Sequence, residues 1–98
     1  MIKMMCGGFG NSRPADDKVK ALAKEMKPKV ESALGATYSE FEAVSYTTQV
    51  VAGTNYKIKV KVGDEKYVHI KVFVPLPNSG KEKQLMTQEA NKTLADAL

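Results

Sequence analysis

The chain has 98 residues, of which 43% are hydrophobic and 27% charged, and its formal net charge is +4. That length suits a single domain, residues 1–98, burying roughly 60–65% of its unfolded surface, and leaves no room for a second. The composition excludes a disordered chain, no run approaches the roughly 20 apolar residues of a spanning helix, and one cysteine excludes an internal disulfide framework.

Residues 1–13 contain three glycines, Gly7, Gly8 and Gly10, and no periodicity, which predicts an extended, flexible leader. It has no apolar h-region, so no secretory signal is expected, and the single Cys6 suits a reducing compartment, the cytoplasm by default. Pro14 suits a helix start, and Asp16 and Asp17 complement the positive end of the helix dipole. Val19, Leu22, Ala23, Met26, Val30, Ala33 and Leu34 then share one apolar face at helical period. Pro28 interrupts this pattern and should kink the helix, and Gly35 is suited to end it.

The period then changes from helix to strand. Phe41 to Val51 is rich in β-branched and aromatic residues. Tyr56, Ile58, Val60 and Val62 alternate with Lys57, Lys59 and Lys61, and Val68, Ile70, Val72 and Val74 alternate with His69 and Lys71. Turns are expected at Gly53-Thr54-Asn55, Gly63–Lys66 and Pro75–Gly80. A last strand fits around Gln84–Gln88, and the tail from Asn91 reads as weakly helical or irregular. The fold class is α+β: an antiparallel sheet of four to five strands, with one solvated face, wrapped around one long helix.

Little in this inventory suits catalysis. One Cys and one His, Cys6 and His69, cannot make a Cys/His zinc site, and Cys6 in a mobile leader cannot hold the geometry of a nucleophile. Asp16-Asp17 and Asp64-Glu65 fit a first helical turn and a hairpin turn, and no phosphate-binding glycine motif occurs. No catalytic residue, metal or cofactor is expected. Lys57, Lys59, Lys61 and Lys71, with Tyr67 and Phe73, raise the alternative of a nucleic-acid surface. Against it, the charge forms no block and arginine occurs once, at Arg13, so a lysine-coated sheet face is the better reading.

Gln49-Val50-Val51-Ala52-Gly53 is the hairpin that marks the cystatins. The stretch Glu42–Tyr56 and the later Gly63–His69 resemble the stefins, the type 1 cystatins, as do Met4–Gly8 and Leu76-Pro77. The likeness runs from about Met4 to Thr87; the ending Leu94–Leu98 lacks the aromatic residue of the stefins. The resemblance implies a cystatin-like fold and tight, reversible, competitive inhibition of papain-like cysteine proteases, cathepsins among them. It implies that Gly7, Gly8, Gln49, Val50, Val51, Ala52, Gly53, Leu76 and Pro77 contact the protease as a wedge. No membrane or nucleic-acid partner is implied. A monomer is expected, able to dimerise by exchanging its helix and flanking strand about the Gln49–Gly53 hairpin. A stefin scaffold engineered to display other binding loops would share these motifs.

Overall fold

Helix formation begins at Asp16, whose extended backbone and carboxylate cap the first turn: Oδ1 accepts from the Val19 N–H at 2.9 Å. In the computed structural model, which describes residues 9–98, the elements are β1 (Arg13–Pro14), α1 (Asp17–Leu34), β2 (Glu42–Val51), β3 (Gly53–Gly63), β4 (Lys66–Val74) and β5 (Gln84–Lys92). Pro14 therefore does not start the helix. It lies in β1 opposite Ser45, and the Asp16 side chain supplies the start signal instead.

Pro28 lies inside α1, which runs on as a helix to Leu34. Its ring is exposed, so the unpaired carbonyl one turn back faces water rather than core. Gly35 ends the helix at φ 65°, and its N–H donates to the Glu31 carbonyl. Glu31 also accepts from the Tyr38 N–H at 2.8 Å, fixing the turn away from the helix.

The five strands form one antiparallel sheet in the order β1-β2-β3-β4-β5. Val19, Leu22, Ala23, Met26 and Val30 pack against Ala43, Tyr46, Ile58, Val60, Val68, Ile70 and Val72 on the inner face. Ala33, expected on the apolar face, is exposed, whereas its neighbour Leu34 packs against the core. A register shift between Ala43 and Ser45 leaves Val44 as the extra residue. It lets Ala43 and Tyr46 both point into the core although their spacing is odd. β5 reaches Lys92, past the predicted end, through a second shift between Tyr67 and His69 and with Asn91 at φ 61°.

Residues 9–13 of the leader run along β2 and are tied to it. The Gly10 N–H donates to the Thr48 carbonyl at 3.2 Å, Thr47 Oγ1 donates to the Gly10 carbonyl at 2.5 Å, and Arg13 pairs with Tyr46. The Arg13 guanidinium also lies over the Tyr46 ring, 4.8 Å from its centroid. Gly7, Gly8 and Cys6 lie outside the described residues.

Candidate functional site

The first hairpin turns one residue earlier than the glycine pattern suggested. Val51 pairs with Gly53, so Ala52 alone forms the tip, and Thr54 and Asn55 already belong to β3. Pairing decides where the second hairpin lies. Thr54 is opposite Val74, so β3 begins where β4 ends, and the tips at Ala52 and at residues 75–83 emerge at the same end of the sheet. The leader runs antiparallel to β2, and passing back from Pro14 to Gly10 approaches that same end.

The side chains at this end are core-type but exposed: Val50 is 71% exposed, Val51 44% and Leu76 55%. Ala52 and Pro77 are exposed beside them. Neither tip carries a charge between Gln49 and Asn55 or between Pro75 and Gly80, so covering them desolvates no ion. Such an edge is suited to a partner surface rather than to water.

Two residues support this edge from behind. Gln49 Oε1 accepts from Asn55 Nδ2 at 2.8 Å across the hairpin, three residues below its tip. Gly53 is buried at φ 126°; a Cβ there would sit 2.7 Å from the Val74 carbonyl oxygen and 2.9 Å from the Phe73 ring. The close approach that only glycine permits is thus made by the chain's own β4. Gly53 seats the first tip against the end of β4, from which the second tip departs. The sequence points to Phe73 as a stacking group and to Val74 as a strand-face residue, not to either as the backing of Gly53. Their role follows from hairpin register, which places residue 54 opposite 74 once the turn is centred on Ala52. In the second tip, the Ser79 N–H donates to the Leu76 carbonyl at 3.1 Å and holds Leu76 and Pro77 at the turn.

The outer sheet face is not the open lysine row that strand alternation predicted. Lys59 and His69 are buried, with 6% and 7% exposure. Residues 93–98 lie across them, and Lys59 Nζ donates to the Leu94 and Asp96 carbonyls. Lys57 stacks on Phe9, its Nζ 4.3 Å from the ring centroid, and Lys61 lies 3.8 Å from Glu40. Tyr67 is buried and Phe73 half-buried against Gly53, so neither is free to stack on a base. Among the described residues no cluster of three His, Cys, Asp or Glu could hold a metal ion, and no helix is long and apolar enough to cross a membrane.

A cystatin domain model matches residues 7–94. Cystatin-A1 from Sus scrofa is 47% identical over 96 residues, covering 98% of this chain and 93% of its own. Cystatin-A from Homo sapiens is 42% identical, covering 97% of each chain. The solved structure of a secreted type 1 cystatin from Fasciola hepatica superposes with a TM-score of 0.73 at 32% identity, covering 86% of this chain and 95% of that one. The domain match spans most of the chain, the relatives align over nearly their full length, and the solved relative shares the helix-and-meander fold. The chain belongs to the cystatin family, as a type 1 cystatin or stefin.

Proposed function

We propose that this protein is a tight, reversible, competitive inhibitor of papain-like cysteine proteases, cathepsins among them, and that it works by filling the active-site cleft. The observation that carries the reading is the uncharged apolar edge formed by Val50, Val51, Ala52, Leu76 and Pro77, set on a sheet rigid enough that little ordering entropy is lost on docking. One relative of Sus scrofa, 44% identical, is a leukocyte cysteine proteinase inhibitor. Stefins are inhibitors and not enzymes, and occlusion of a cleft needs no catalytic group. Gln49 and Gly53 act here by positioning the first tip, and Gly7 and Gly8 extend the wedge from the leader. The protein acts as a monomer in the cytoplasm on this reading, consistent with its single cysteine. The Fasciola hepatica relative is a secreted one, so the fold by itself is compatible with either compartment.

Titration into a papain assay tests the reading. Inhibition at nanomolar concentration or below is expected, roughly −12 kcal/mol or better, with no cleavage of the inhibitor. Full papain activity at micromolar protein, or rapid turnover of the chain, overturns it.

A further inference from the structure

The outer face carries a second built feature, remote from the wedge's apolar tips. Residues 93–98 cross β3 and β4 and cover His69. Lys59 Nζ holds the Leu94 and Asp96 carbonyls, and the Thr93 N–H donates to Asp96 Oδ2 at 2.8 Å, closing a turn that keeps the segment in place. Phe9, Gly10, Asn11 and Ser12 line the same groove beside Thr47 and Lys59. The segment and the root of the leader therefore share one seat.

His69 is the weak point under this cover. It sits opposite Lys59 on one side and Glu89 on the other, and its Nε2 is buried with no hydrogen-bond partner among the described residues. Lys57 and Lys59 approach from β3, Lys71 is two residues along on β4, and Lys92 and Glu89 come from β5, with Asp96 above. Glu89 is partly occupied by Lys92, 3.5 Å away. A second proton on the ring would place a cation among ammonium groups, in a site with no acceptor for Nε2–H.

We propose that residues 93–98 form an acid-released latch: protonation of His69 lifts the segment from the sheet and loosens the leader root packed beside it. Burial first, then Lys59 and Lys92, hold the imidazole below its usual 6.5, against the opposing pull of Glu89 and Asp96. The closed latch disfavours the charged ring, so the open state binds more protons. The latch is secure above the ordinary histidine range and loses stability as pH falls below it. Asp96 is held below the usual carboxylate value chiefly by the Thr93 N–H, so its turn survives to lower pH and the first step belongs to His69.

Hydrogen exchange on the full chain, corrected for intrinsic rates, tests this at pH 7.5 and pH 5. The Gly10 amide, which donates to the Thr48 carbonyl, should lose at least tenfold protection at pH 5, while the β3 and β4 ladder amides, and those of Thr93 and Asp96 inside the surviving turn, stay protected. His69→Gln should abolish the difference. An NMR titration of the wild type gives a readout independent of that variant's folding: the His69 ring protons and the segment's amides should shift with one midpoint. No pH effect, an effect that survives His69→Gln, or unmatched midpoints would each overturn the latch. None of these readouts depends on protease inhibition, so the inhibitory reading stands or falls separately.

Discussion

Gly53 and Glu65 adopt the same unusual half of backbone space for opposite reasons. Gly53 is at φ 126° with no room for a Cβ, whereas Glu65 is at φ 52° in the open two-residue turn between β3 and β4. Gly53→Val should lower stability by about 3 kcal/mol or more, combining strain with a clash against the Val74 carbonyl. It should also raise the inhibition constant against papain, because both tips move; denaturant unfolding and inhibitor titration measure the two effects. Glu65→Gly should stabilise by about 0.5–1 kcal/mol, because the turn conformation then carries no side-chain penalty. Residue identity announced a turn at both places. The reason glycine is required at 53 was not legible, because Val74 and Phe73 lie some twenty positions away and only register brings them there.

At the scale of elements, period was a sound guide wherever one face met the core. Helix α1 and strands β3 and β4 follow their apolar spacing because burial on α1 or on the inner face enforces it. The segments without period, residues 9–13 and 93–98, showed in the sequence only as a leader and an irregular tail, with nothing to say what they touch. They are held by backbone carbonyls meeting Thr47, Lys59 and an edge of β2, contacts that leave no spacing signal in the chain. Pro28 is the costliest residue of α1, since it removes one bond of the helix ladder at an exposed position. Pro28→Ala should raise stability by about 1–2 kcal/mol, the gain being limited by the looser unfolded chain. Met26→Ala, at the centre of the buried face, should cost about 2–5 kcal/mol. Urea denaturation of the two variants gives both values.

Seen whole, the molecule separates its two surfaces: apolar tips at one end of the sheet, charge on the outer face. Neutralising Lys61 should change papain inhibition less than twofold, because it pairs with Glu40 and flanks neither the tips nor the leader. A Lys61→Gln variant that lost inhibition tenfold would move the contact surface onto the outer face. The separation also bears on dimerisation. If Ala52 straightens, β1, α1 and β2 can leave as a unit and pair with a second chain's β3, spending the first tip in the process. A dimer isolated by size exclusion after mild heating should therefore inhibit papain more weakly than the monomer.

The meander order carries a consequence for how the molecule assembles. Every strand pairs with its neighbour in sequence, and the β2–β3 and β3–β4 connections are one and two residues long. Those hairpins close over short loops and should form early, whereas β5 joins only across residues 75–83 and must meet α1 from the far end of the chain. Val68→Ala in β4 should accordingly slow refolding, while Leu85→Ala in β5 should mainly speed unfolding, as stopped-flow chevrons of the two variants would reveal. The first tip then exists before the second, and a chain stalled halfway would display Ala52 on its hairpin while Leu76 still lacked its supporting strand.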